Sequence, residues 1–145
     1  MTSQSITRPQ IGIGKVVIAT LAAIAAAIAA NLIARVLLFA LFDLPAGFQP
    51  LQAGAIIFFT TIGVLGAGVA YAIVTRVSRT PVRTYWIVAT VAFVLSIIPN
   101  VMLALNPAAA PMPGGTPGAF AALIVFHVVA FLVSVLVLTR LARPA

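Results

Sequence analysis

The sequence contains no cysteine and no glutamate, and Asp43 and His127 are its only acidic residue and its only histidine among 145 residues. The lack of cysteine excludes disulfide bonds, thiolate metal sites and cysteine nucleophiles. One carboxyl group per chain cannot provide a catalytic carboxylate pair. A metal site of three or four ordinary ligands cannot be assembled either, and one histidine is too few for the usual pair of haem ligands. We therefore expect no metal and no cofactor.

Charged residues are scarce, at 6% of the chain, whereas 63% of the residues are hydrophobic. A soluble domain needs far more polar surface than this composition provides. The net charge is +7, but the basic residues stand singly or in small groups at the ends of apolar runs. That distribution is typical of membrane topology signals and not of a phosphate-binding face. We expect membrane lipids as partners, with a homo-oligomer or a larger membrane complex also possible, and no nucleic acid.

Four apolar runs are each long enough to cross a hydrocarbon core of about 30 Å. The predicted fold is all-α, a polytopic membrane protein built as an antiparallel four-helix transmembrane bundle. We predict an N-terminal tail over residues 1–15, one membrane domain over 16–139 and a C-terminal tail over 140–145. The spans are expected at about 16–42, 51–74, 85–105 and 119–138. Pro99 predicts a kink in the third span.

The basic residues also predict the orientation. Lysine and arginine flank the membrane in the N-terminal tail, the second connector and the C-terminal tail, and they are missing from the first and third connectors. The positive-inside rule then places both termini in the cytoplasm. The expected location is the inner (cytoplasmic) membrane of a bacterium, crossed four times.

Small residues predict where helices pack closely. Alanines form two ridges on the first span, at positions 19, 23 and 27 and at 22, 26 and 30. The second span carries glycines that are expected to serve as a packing surface, namely Gly54, Gly63, Gly66 and Gly68. Residues without bulky side chains allow two helix backbones to approach each other in a membrane.

Two short segments carry a resemblance to a known family. Phe48–Gln49–Pro50–Leu51 opens the second span, and Thr80–Pro81–Val82–Arg83–Thr84 precedes the third. With these segments in place, the chain resembles a bacterial family of small four-span integral membrane proteins that is catalogued as a domain of unknown function. The resemblance covers nearly the whole chain and supports four spans, but it implies no activity and no catalytic residue.

Polar residues at similar predicted depths suggest a ligand site. Counting residues along each helix places Asn31, Arg35 and Asn100 in the outer third of the membrane and His127 nearer its middle. If these side chains face one another, they form an outward-facing polar chamber that binds a small molecule or a lipid headgroup. The alternative is that Arg35 lies at the interface, bonded to Asp43 or to a lipid phosphate, and that the other three link helices.

We expect a non-enzymatic function, for which the sequence favours the first of two candidates and leaves the second as the alternative. The first is a structural or accessory membrane protein that acts through helix–helix contacts. The second is a binder or transporter of a small molecule or lipid, which uses the chamber around Asn31, Arg35, Asn100 and His127. Catalysis is not expected, because Asp43 lies at the outer end of a span and His127 lies about 13 Å below that end.

Overall fold

A computed structural model describes residues 11–143 of the chain. It contains four α-helices, which we number α1 (Ile13–Leu41), α2 (Ala53–Val77), α3 (Pro81–Leu105) and α4 (Pro117–Leu141). Two single 3₁₀ turns, Gln49–Leu51 and Pro107–Ala109, lie in the connectors. Each α-helix is long and apolar enough to cross a membrane. The structure thus confirms the all-α, four-span fold.

Helix ends differ from the predicted spans by a few residues because prolines and caps, and not hydropathy, determine where helices begin. α3 begins at Pro81 and α4 at Pro117. Proline suits the first turn because its missing N–H group would have no intrahelical partner there. The hydroxyl of Thr116 caps α4 by accepting a hydrogen bond from the Ala119 amide at 3.1 Å. The predicted tail over residues 1–15 lies largely outside the described residues.

Consecutive helices run antiparallel, as contacts at one end of the bundle show. The Tyr71 hydroxyl, near the end of α2, donates to the carbonyl of Ala142, just after α4, at 2.7 Å. The ring of Tyr71 also meets the ring of Tyr85, near the start of α3. Val16 of α1 belongs to the same buried cluster. We call this the basic end, because every lysine and arginine of residues 11–143 except Arg35 lies near it.

A second apolar cluster closes the opposite end. Phe48 of the first connector packs edge to face against Phe120 of α4, with ring centroids 5.5 Å apart. Leu51 is fully buried beside them, and the start of α4 completes the cluster. The two clusters hold opposite ends of the helices together.

Helix α1 uses one of its two alanine ridges for packing. Ala19, Ala23 and Ala27 are fully buried, whereas Ala26 of the other ridge is exposed. The buried ridge faces α2 and α4, which are the main neighbours of α1. Alanine at these positions allows the backbones to come close, as the spacing predicted.

Helix α3 lies at the edge of the bundle. Tyr85 is its only buried residue, and none of its most apolar window is buried. The helix continues through Pro99 to Leu105 and packs mainly on α4. Its looser association with α2 leaves a cleft between these two helices, and this cleft contains the candidate site.

Candidate ligand-binding cavity

A cavity of about 460 Å³ lies between α2, α3 and α4, with one contribution from α1. Its walls are mostly alanine, glycine, valine and phenylalanine side chains. Six polar residues from the four helices also line it, which are Asn31, Thr60, Tyr85, Ser96, His127 and Ser134. The cavity is therefore an apolar space with a few polar positions, which is the usual chemistry of a small-molecule site.

The cavity opens sideways, towards the position of the lipid. Gly63 and Gly66 of α2 and Ala92 of α3 line it and are also exposed at the bundle surface. These small side chains leave the space between α2 and α3 unfilled. Phe59 and Val88 stand at the same opening, with exposed fractions of 63% and 40%. The rim of this opening is therefore largely apolar.

Asn31 is almost completely buried, at 1% exposure. Its amide Nδ2 donates to the Thr60 hydroxyl oxygen at 2.9 Å and so joins α1 to α2. Its carbonyl Oδ1 is buried and has no hydrogen-bond partner within residues 11–143. A buried acceptor without a partner is costly, especially where no water competes. A residue that lines the cavity thus carries a buried acceptor without a partner among the described residues.

His127 presents a second acceptor. Its Nδ1 lies 2.7 Å from the carbonyl oxygen of Leu123, one turn earlier on α4. A carbonyl oxygen can only accept, so Nδ1 carries a proton, and in the neutral tautomer this leaves Nε2 as an acceptor. The hydroxyls of Ser96 and Ser134 also line the cavity, but both donate to carbonyls of their own helices.

Tyr85 lies at the other end of the cavity, near the basic end. Its side chain is fully buried, and its hydroxyl has no hydrogen-bond partner in the described part of the chain. The Tyr85 ring packs against Tyr71, which is eleven residues beyond Thr60 on α2. The polar groups near Thr60 and the Tyr85 hydroxyl are thus separated by about 16 Å along the bundle, with apolar walls between them.

One protein family matches nearly the whole chain. Residues 7–144 match a family whose description reads "Family of unknown function (DUF6069)". The chain belongs to DUF6069. This membership confirms the resemblance to a family of unknown function, and the four apolar helices agree with a small integral membrane protein. No curated protein and no solved structure matches this DUF6069 chain.

Two of the four residues predicted to bind a ligand line the cavity of this DUF6069 protein, and two do not. Asn31 and His127 do line it. The Arg35 Nε donates instead to the carbonyl of Leu51 at 2.8 Å, and its guanidinium lies 4.7 Å from the ring centre of Phe39. The side chain of Asn100 lies 3.5 Å from the carbonyl of Ser96 on its own helix. Depth along a helix does not determine which way a side chain faces.

The predicted packing glycines have different surroundings. A Cβ atom on Gly68 would lie 2.6 Å from Cγ2 and 3.0 Å from Cβ of Thr20, so α1 and α2 approach closely there. Gly54, Gly63 and Gly66 have open space where a Cβ would stand. Two of these three border the cavity. No signal in the sequence shows that the Tyr85 hydroxyl is buried without a partner among the described residues.

Proposed function

We propose that this protein is a non-enzymatic membrane protein that binds a small amphipathic molecule taken from the lipid bilayer. The observation that supports this most directly is that Asn31, which lines a mostly apolar cavity, has a buried Oδ1 without a partner among residues 11–143. Polar groups within membrane spans are costly and commonly mark functional sites. A bound molecule with a polar head would satisfy this oxygen.

The size and opening of the cavity support the same proposal. Its volume of about 460 Å³ lies within the range of about 300–1,000 Å³ that is usual for small-molecule sites. The sideways opening between α2 and α3 favours a ligand that is already dissolved in the membrane. Asp43 is exposed in the first connector and does not line the cavity, which leaves His127 without a carboxylate partner there. This arrangement favours binding over catalysis.

The distribution of charge supports an orientation. Six basic residues lie at the basic end, namely Lys15, Arg76, Arg79, Arg83, Arg140 and Arg143. By the positive-inside rule, we infer that this end faces the cytoplasm of a bacterium and that the protein resides in the inner membrane. The Asn31 side of the cavity then lies in the outer half of the bilayer.

Binding can be tested by native mass spectrometry of the protein released from lipid nanodiscs. We expect a stoichiometric small molecule or lipid on the wild-type chain. Ala89→Phe places a ring on the cavity wall and should remove that species. Ala26→Phe makes the same substitution on an exposed face of α1 outside the cavity and should retain it. Equal retention of the species by both variants would refute the cavity as the binding site.

A second function is favoured by one further observation. Gly54 is exposed on α2, has open space around its Cα and does not line the cavity. This position suits the close approach of a helix from a second copy or from a larger complex, which is the accessory role predicted from the sequence. Gly54→Leu should then dissociate the oligomer or complex in native mass spectra without changing ligand occupancy. An unchanged stoichiometry would count against this role.

A further inference from the structure

The orientation of two side chains in the cavity indicates the chemistry of the ligand. On the basis of the binding role proposed above, we infer that the cavity takes a neutral, chain-bearing alcohol, a molecule whose polar head donates a hydrogen bond. Long-chain alcohols and diacylglycerols share this chemistry. Fatty acids are ionised at physiological pH, methyl ethers have no hydrogen-bond donor, and phospholipids carry an ionised phosphate.

The two polar atoms of the Asn31 side-chain amide have different surroundings. The donor Nδ2 is already engaged with the Thr60 hydroxyl oxygen at 2.9 Å. The remaining atom, Oδ1, can only accept, and it is the buried atom without a partner. A ligand group that satisfies Oδ1 must therefore bring an O–H or N–H bond.

His127 also requires a ligand group that donates a hydrogen bond. With its Nδ1 proton directed to the Leu123 carbonyl, its Nε2 offers only a lone pair in the neutral ring. A carboxylate or phosphate head would place further lone pairs against two acceptors, which is repulsive. The Tyr85 hydroxyl can both donate and accept, so it does not discriminate between head groups.

The lack of charged residues in the cavity lining also disfavours a charged head group. In the described part of the chain, no lysine, arginine or aspartate lines the cavity. An ionised head would therefore lose its hydration without gaining an opposite charge, which is strongly unfavourable in apolar surroundings. The apolar walls between Asn31 and Tyr85 suit a hydrocarbon chain. The acceptors of Asn31 and His127 and the uncharged lining favour a neutral hydroxyl head, and the apolar walls favour an apolar tail.

The test uses photocrosslinking with a diazirine-bearing dodecanol in nanodiscs, followed by peptide mapping. Three competitors of equal chain length are compared at equal concentration per lipid, namely dodecanol, dodecyl methyl ether and dodecanoate. The ether retains the oxygen acceptor of the alcohol but cannot donate. Because one hydrogen bond to a buried acceptor is at stake, we expect dodecanol to displace the probe at about tenfold lower concentration than the ether.

Three variants test which side-chain atoms produce the preference for the alcohol over the ether. Asn31→Leu should reduce the preference for the alcohol to about twofold or less. Thr60→Val removes the oxygen that holds the Asn31 amide, which frees a donor, so the ether should compete better than it does in the wild type. Asn100→Leu removes an asparagine outside the cavity and should leave the wild-type preference unchanged. The Thr60→Val result is decisive if Asn31→Leu fails to fold.

The outcomes separate this inference from the proposed function. If the probe labels no cavity residue in the wild type, the binding role itself is wrong. If the probe labels the cavity and the alcohol and the ether compete equally, binding stands and the demand for a donor is wrong. Stronger competition by dodecanoate would likewise overturn the preference for a neutral alcohol.

Discussion

Tyr71 and Tyr85 meet edge to face with ring centroids 4.8 Å apart, yet only one of their two buried hydroxyls has a partner within residues 11–143. Tyr71 donates to the carbonyl of Ala142 and so ties α2 to the end of α4. Tyr85 contributes its ring to the same contact and is also one of the residues that line the cavity. Two neighbouring tyrosines thus have different roles, one in holding the bundle together and one in bordering the candidate site.

This difference predicts opposite effects for the same substitution. Tyr71→Phe should lower the free energy of unfolding by about 0.5–1.5 kcal/mol, because it removes one interhelical hydrogen bond. Tyr85→Phe should leave stability unchanged or raise it by up to about 1 kcal/mol, because it removes a buried hydroxyl without a partner. Unfolding of the ligand-free protein in mixed micelles, titrated with a denaturing detergent, measures both. Equal losses in the two variants would contradict the assigned roles.

The close approach of Gly68 to Thr20 gives a second prediction. Gly68→Ala places a methyl group within 3.0 Å of the Thr20 side chain, and we expect a loss of about 1–3 kcal/mol. Thr20→Ala in the same chain removes the obstructing atoms and should recover most of that loss, which a double-mutant cycle would record as coupling. Gly54→Ala is the matched control. It has open space and should be neutral or slightly stabilising, because alanine favours helix.

Arg35 tests whether depth in the membrane predicts a binding residue. Its guanidinium bonds the Leu51 carbonyl outside the cavity. Arg35→Met keeps a long apolar side chain and removes the hydrogen bond, so we expect a modest loss of stability, of about 1–3 kcal/mol. Labelling of the cavity by the dodecanol probe should stay within about twofold of the wild type. A twofold change corresponds to a smaller free energy than one hydrogen bond to a charged group contributes. Loss of labelling in a folded variant would return Arg35 to the site.

The orientation can be measured with single cysteines, since the natural chain has none. Thr80→Cys lies in the exposed second connector, and Ala108→Cys lies in the exposed third connector. A membrane-impermeant maleimide applied to intact cells or spheroplasts should label Ala108→Cys directly. It should label Thr80→Cys only after permeabilisation. The reverse pattern would place the basic end outside.

The sequence predicted the spans well because hydrocarbon length and the cost of charge decide which segments can cross. It predicted their ends less well, since Pro81 and Pro117 begin their helices before the apolar runs do. Asn31 and His127, for which the sequence predicts different depths, both line the cavity. The direction in which each polar side chain points could not be predicted, because a helix that is apolar on all sides has no preferred inward face. Packing alone directs Asn100 away from the cavity.

The bond between Asn31 and Thr60 has a consequence for biogenesis. Both residues belong to the first helical hairpin, as do Gly68 and Thr20, so the polar pair and the close-packed contact can form before α3 and α4 emerge from the ribosome. Without them, the two apolar helices could rotate against each other at little cost. The contacts of Phe120 and Ala142 form only when α4 arrives. The rotational setting of α1 against α2 can therefore be established before the other two walls of the cavity, α3 and α4, are made.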